Sequence, residues 1–137
     1  MAKKVYVCYD HENDECYKNK LEEWDSAKEF EFTSKLSANN GALPPDLMYS
    51  DAYREKIRAK IAQATCVLCL IGKNTRNSEW VKWEIDEAIK QKKKIIAAKT
   101  ERLNTPPSCF LHPKTLWANP FSLEGIKEAM GRPGRWA

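Results

Sequence analysis

Residues 65–100 read "TCVLCLIGKNTRNSEWVKWEIDEAIKQKKKIIAAKT", and the order of patterns within them decides the fold. "TCVLCLIG" (65–72) is a near-continuous apolar run, the mark of a strand covered on both faces. A polar loop, "KNTRN", follows, and then "SEWVKWEIDEAIK", whose apolar residues recur at helical spacing behind an N-cap at Asn77 or Ser78. "KIIAAKT" (94–100) is a second buried strand. Strand, helix and strand in that order form a right-handed crossover between parallel neighbours.

The same alternation extends outward from this unit. "KKVYVCY" (3–9) is a β-branched and aromatic strand, the polar cluster "DHEND" is the loop after it, and "DECYKNKLEEWDSAK" places Cys16, Tyr17, Leu21 and Trp24 at helical spacing. "EFEFTS" (29–34) alternates as a strand at an edge does. The stretch "KLSANNGALPPDLMYSDA" is a long loop, broken by Asn-Asn-Gly and Pro-Pro. A helix from about Ser50 carries Tyr53, Ile57, Ile61 and Ala64 on one face. Beyond Thr100 the pattern loosens into a loop, a short fifth strand at "KTLWA" and a last helix at "FSLEGIKEAM". These elements predict one three-layer α/β domain over residues 1–137, a parallel five-stranded sheet flanked by helices in flavodoxin-like topology. Ligands of such sheets bind at the carboxyl ends of the strands, where the strand order reverses.

Composition narrows the classes. A chain of 137 residues, 42% hydrophobic and 31% charged, can bury one core without a metal or disulfide framework. Its five cysteines are odd in number, and Cys66 and Cys69 lie three apart in a buried strand, so they point to opposite faces as small hydrophobes. The strand pattern begins almost at Met1, which leaves no room for a signal peptide, and no run reaches a membrane span; a cytoplasmic protein is expected. The net charge is +4, and the basic run "KQKKK" falls where a helix ends, as its dipole favours, so nucleic acid is not an expected partner.

Several uses of this architecture are excluded by missing motifs. "YDHENDE" contains no glycine and is acidic, which is wrong for a dinucleotide or flavin phosphate loop, and no Walker A loop occurs. The end of the third strand, "LCLIGKN", lacks a phosphoacceptor aspartate. No Ser-His-Asp order and no metal-ligand spacing is present, and neither a resident metal nor a cofactor is expected. A magnesium ion on Asp10 and Glu12 is the weak exception. Polar groups remain at the carboxyl edge: Asp10, His11, Glu12, Asn13, Asn74, Asn77 and Glu84.

Helix geometry singles out one of these. With Trp80 at zero and about 100° per residue, Val81, Ala88, Ile85 and Ile89 span roughly 80° to 180°, the core stripe. Glu84 falls at about 40°, an i, i+4 neighbour of Trp80 on the margin of that stripe, while Trp83 at about 300° faces solvent and suits the C-terminal segment or a partner chain. By geometry alone Glu84 is either a structural carboxylate, paired with Lys73, Arg76 or Lys99, or a functional one.

"KKVYVCYDHENDECYKNKLEEW" together with "REKIRAKIAQATCVLCLIGKNTRNSEWVKWEIDEAIKQKKKIIAAK" resembles the TIR-like family, which includes the TIR proteins of Thoeris anti-phage systems. The resemblance covers roughly residues 3–100 and is most specific at "CLIGKNTRNSEWVKWEI". It implies a TIR-like fold and NAD+ as substrate, with Glu84 as the catalytic residue. Tyr9, Asp10, His11, Tyr49, Asn77 and Trp80 are the implied substrate-binding residues; at the end of the first strand Tyr9-Asp10-His11 departs from the family's pattern. Such chemistry needs only one carboxylate. The nicotinamide of NAD+ is a cationic pyridinium that leaves neutral, whereas an ordinary glycoside needs a second group to protonate the leaving oxygen. The resemblance further implies an ADP-ribose-derived, cyclic signal nucleotide, a separate effector protein that reads it, and a homo-oligomer. Two alternatives stay open: a non-enzymatic signalling or assembly module of the same fold, and a nucleoside deoxyribosyltransferase-like enzyme, for which a second acid is not apparent.

Overall fold

A computed structural model describes residues 3–34, 51–101, 104–106, 115–118 and 121–131, with His11–Asn13 described by backbone alone. The strands are β1 (Lys3–Cys8), β2 (Phe30–Thr33), β3 (Cys66–Ile71), β4 (Lys94–Lys99) and β5 (Thr115–Ala118). The helices are α1 (His11–Trp24), α2 (Asp51–Gln63), α3 (Glu79–Lys90) and α4 (Leu123–Gly131), with a 3-10 turn at Thr75–Asn77. All strand pairs are parallel and the order is β2-β1-β3-β4-β5, the flavodoxin-like arrangement expected from the sequence. Strand order reverses between β1 and β3, which puts the crevice at their carboxyl ends.

The pleat divides the core in two. Tyr6, Cys8, Val67, Cys69, Ile71, Ile95 and Ala97 face α2 and α3, where Ile57, Ile61, Val81, Ile85 and Ala88 meet them. Val5, Val7, Tyr9, Leu68, Leu70, Ile96 and Ala98 face α1 and α4, against Leu21, Ile126 and Ala129. Full burial of each of these isoleucines and leucines contributes about 1.5–3 kcal/mol. Cys66 and Cys69 fall on opposite faces, as their spacing requires.

Element ends show where local chemistry differs from the sequence reading. The "HEND" segment is the first turn of α1 and not a loop: the amide of Asp14 already donates to the carbonyl of Asp10 at 2.8 Å. Acidic residues suit that position because they face the positive end of the helix dipole. The same helix stops at Trp24, short of the expected Lys28, because Asp25 takes over the backbone. Its two carboxylate oxygens accept from the amides of Glu29 and Phe30 at 2.9 and 2.8 Å, and Lys28 turns the chain at φ 53°.

Ser78, rather than Asn77, caps α3, its hydroxyl accepting from the amide of Val81 at 3.2 Å. The basic run after α3 staples helix ends. Lys93 donates to the carbonyls of Ala62 and Ala64 at 2.9 and 3.0 Å, and Lys94 to that of Met130 at 2.6 Å. Ala62 and Met130 lie in the last turns of α2 and α4, whose carbonyls the helices themselves leave without partners, and Ala64 follows just past α2. No helix among the described residues is long and apolar enough to cross a membrane.

Candidate functional site

Glu84 sits on α3 at the side turned towards β1, and it is 1% exposed. The sequence placed it on the margin of the core stripe; the structure puts it inside. Tyr6, fully buried in β1, accounts for the difference, because its hydroxyl donates to Oε2 of Glu84. Burial first, and then the charge of Glu84, hold the Tyr6 phenol well above its ordinary value of 10.0, so Tyr6 keeps its proton and is the donor. Tyr53 of α2 faces the same carboxylate, and burial together with Glu84 pushes its phenol up to about 12. None of the three cations that would make Glu84 part of a surface ion pair plays that part. Lys73 and Arg76 are exposed, and the ammonium of Lys99 lies over the ring of Trp117, 5.9 Å from its centroid.

The tryptophans frame the carboxylate. Trp80, 5% exposed, stacks on Tyr53 with centroids 5.7 Å apart and on Trp83 with centroids 5.1 Å apart, both at 28° between planes. A ring so enclosed is a packing element of this structure, where the sequence suggested a stack on substrate. Trp83 is half-buried rather than turned to solvent. The guanidinium groups of Arg54 and Arg58 lie 5.4 and 5.5 Å from the centre of its ring.

The remaining expected residues are dispersed. Tyr9 is buried on the α1 side of the sheet, opposite Glu84, with its hydroxyl bonded to the Ser34 side chain. Burial raises its phenol pKa and the Ser34 bond partly offsets that. Asp10 is half-exposed at the end of β1, and Asn77 is exposed in the 3-10 turn. His11 opens α1, where only the backbone is described, and Tyr49 lies outside the described residues with the rest of the stretch 35–50. Of the expected residues that are described, Trp80 lies one helical turn from Glu84 on α3, and Tyr9 feels the charge of Glu84 from the other face of the sheet.

Three residues that the sequence reading passed over complete the neighbourhood. Tyr6 had a readable signal: a tyrosine in a strand covered on both faces must find a partner for its hydroxyl. Lys60 of α2 is half-buried and donates to the carbonyl of Ser34 at 2.9 Å; burial lowers its pKa and the charge of Glu84 raises it. Asp14, 3% exposed, lies at the switch in strand order beside Gly72 and accepts from the Thr75 hydroxyl at 3.4 Å. Burial, then the charge of Asp10, raise its pKa above the ordinary 3.8. Among the described residues no group of three or more His, Cys, Asp and Glu is placed to hold a metal ion.

A doubly wound parallel domain with a buried carboxylate on the helix after β3, bonded back to a tyrosine of β1, defines a flavodoxin-like α/β protein of the TIR-like class. The chain matches the family model described as the TIR-like domain of the Thoeris protein ThsB over residues 6–105, and it belongs to that family. The comparison with curated proteins returns no match.

Solved structures share the fold. The 2-deoxyribosyltransferase of Bacillus psychrosaccharolyticus aligns with a TM-score of 0.64 at 13% identity, over 95% of this chain and 92% of that one. A prokaryotic SEFIR domain aligns at 0.56 and 16% identity, over 94% and 96%. The TIR domains of the activated Roq1 resistosome align at 0.54 and 12% identity, over 97% and 86%.

Proposed function

We propose that this chain is a TIR-like enzyme that cleaves the N-glycosidic bond between nicotinamide and ribose in NAD+. Its product is an ADP-ribose-derived, cyclic signal nucleotide, made in the cytoplasm for anti-phage defence and read by a separate effector. TIR domains include NAD+-cleaving members, and the family match supports the class. The observation that carries the reading is Glu84, a carboxylate removed from water and fixed by the Tyr6 phenol. A carboxylate held in low dielectric stabilises developing positive charge far more than one in water, and it needs no reorganisation when the charge appears.

The bond from C1′ to the pyridinium nitrogen breaks with its electron pair going to nitrogen, so nicotinamide leaves neutral and C1′ becomes oxocarbenium-like. In this scheme Glu84 stabilises that charge, and no proton passes from it to the leaving nicotinamide. Capture of C1′ by water, with loss of a proton, gives ADP-ribose. Capture by a nucleophile of the same substrate, again with loss of a proton, closes a ring and consumes no water.

The non-enzymatic module remains a second reading because one observation favours it, namely that Glu84 is only 1% exposed. A single experiment separates the two. Wild type and Glu84→Gln are incubated with NAD+ over a range of protein concentrations, and nicotinamide and the nucleotide products are resolved by chromatography. Release by wild type, with a loss of about 10²–10³-fold in Glu84→Gln, is expected from removal of the electrostatic stabiliser. Absence of release at every concentration, with lysate of infected cells added, overturns the enzyme reading in favour of the module.

A further inference from the structure

We infer that Lys60 receives the 5′-phosphate of the substrate and so selects nucleotides over nucleosides; this rests on the reading of Glu84 as the residue at the N-glycosidic bond. Three observations lead there. The first is an imbalance of charge. Lys60 is half-buried, its ammonium uses one of three donors on the Ser34 carbonyl at 2.9 Å, and among the described residues no carboxylate stands within 4.0 Å of it. Its charged neighbours are Lys56, which repels it, and Glu84, which it feels without forming an ion pair. Cations taken out of water are ordinarily compensated by an anion, and one carbonyl compensates only in part. The missing anion is a ligand.

The second observation is position. In the register of β1 with β2, Tyr6 pairs with Thr33, so Ser34 is one residue beyond the partner of the tyrosine that holds Glu84. The Ser34 carbonyl that anchors Lys60 therefore lies at the end of the strand next to β1, which carries the Glu84 donor, the two strands running at the usual spacing of roughly 4.8 Å. In a nucleotide the 5′-phosphate lies one ribose away from C1′. Glu84 is the carboxylate whose charge Lys60 feels, so in this scheme the phosphate sits at the ammonium and the anomeric carbon at Glu84.

The third is rigidity. Ser34 is 2% exposed, its side chain is bonded to the buried Tyr9, and its carbonyl holds Lys60. The ammonium is thus fixed before substrate arrives and costs little further ordering, in contrast to exposed lysines such as Lys56 and Lys73. Tyr9, expected from the sequence as a direct contact, acts in this scheme from the opposite face of the sheet through Ser34.

The test compares wild type, Lys60→Met and Lys60→Arg on NAD+, nicotinamide mononucleotide and nicotinamide riboside, with nicotinamide release as the readout. Lys60→Met is expected to lose about tenfold or more in kcat/KM on the two phosphorylated substrates, chiefly through KM, the effect of one charge-assisted hydrogen bond. On the riboside it should match wild type, and Lys60→Arg should recover part of the loss. An equal loss on the riboside means that Lys60 only supports the fold, and overturns the inference, as does no loss at all.

A second arm is independent of turnover: binding of ADP-ribose to Glu84→Gln, with and without Lys60→Met, by calorimetry. Weaker binding on loss of Lys60 supports the phosphate subsite even where wild type releases no nicotinamide, an outcome that removes only the reaction. Unchanged binding, or none in either variant, removes the subsite.

Discussion

Replacing Tyr6 by Phe deletes one oxygen and leaves the ring, so the core keeps its apolar surface while Glu84 loses its phenol donor. Tyr6 is 0% and Glu84 1% exposed, and bulk water therefore does not take over the bond. A hydrogen bond to a charged group contributes about 1.5–3 kcal/mol, and a buried acceptor that loses its donor approaches the upper part of that range. With a urea dependence of about 1–3 kcal/mol per molar, the unfolding midpoint should fall by about 1 M. The cycle with Glu84→Gln isolates the pair. Tyr6→Phe should cost at least about 1 kcal/mol less in the Gln background, where the partner is neutral.

The pH dependence carries a sign of its own. Because the native state raises the Tyr6 pKa above 10.0, its contribution is fully present below that pH and is lost as pH climbs towards the folded value. Wild type should therefore lose its advantage over Tyr6→Phe only in strong alkali. A cost below about 0.5 kcal/mol with additive double-mutant energies would refute the coupling of these two side chains.

Gly72→Ala should destabilise by about 1–3 kcal/mol, because the added carbon would lie 2.1–2.4 Å from the Asp14 carboxylate, and Asp14→Ala in the same chain should restore most of the loss in urea unfolding. Asp14 is itself titratable with a raised native pKa, so its contribution is greatest below the ordinary 3.8 and declines as pH rises through the folded value; the stability of Asp14→Asn relative to wild type should increase over that range in paired urea titrations. Lys93→Met removes two hydrogen bonds to carbonyls at and just past the end of α2 and should cost about 1 kcal/mol, seen as faster amide exchange in α2 than in β3.

The fold was legible because its signals are collective. "TCVLCLIG" and "KIIAAKT" are buried on both faces and read as such, and the helices between strands leave few topologies open. The start of α1 was not legible, since "HEND" carries no apolar period; what makes it helical is the dipole and the Asp10 carbonyl. The end of that helix escaped for a related reason, since Asp25 reads as any polar residue until its oxygens are seen on two amides. Around Glu84, the sequence singled out the carboxylate but not the side chains that surround it. Tyr6 and Lys60 are distant in sequence, 78 and 24 residues away, and come to Glu84 only through the pairing of β1 with its neighbours and the packing of α2 on α3.

The helical wheel failed at Glu84 for a reason that explains the two tryptophans. A wheel assumes that a helix faces a flat apolar surface, so a residue about 40° off Trp80 on the way to the core should lie at the rim. The surface opposite α3 is not flat, because α2 lies beside it and closes the rim with Tyr53, Arg54 and Arg58. Trp80 stacks on the first of these and Trp83 packs beneath the two arginines. Together the indoles fill the groove between α2 and α3 and fix the rotation of α3 about its own axis. Had that groove been lined by small residues, Trp83 would turn outward and the margin would stay wet. With it filled, the margin becomes interior and Glu84 is carried under it to Tyr6. The tryptophans are thus the frame that holds one carboxylate out of water, and shortening either indole should act on Glu84 before it acts on the rest of the core.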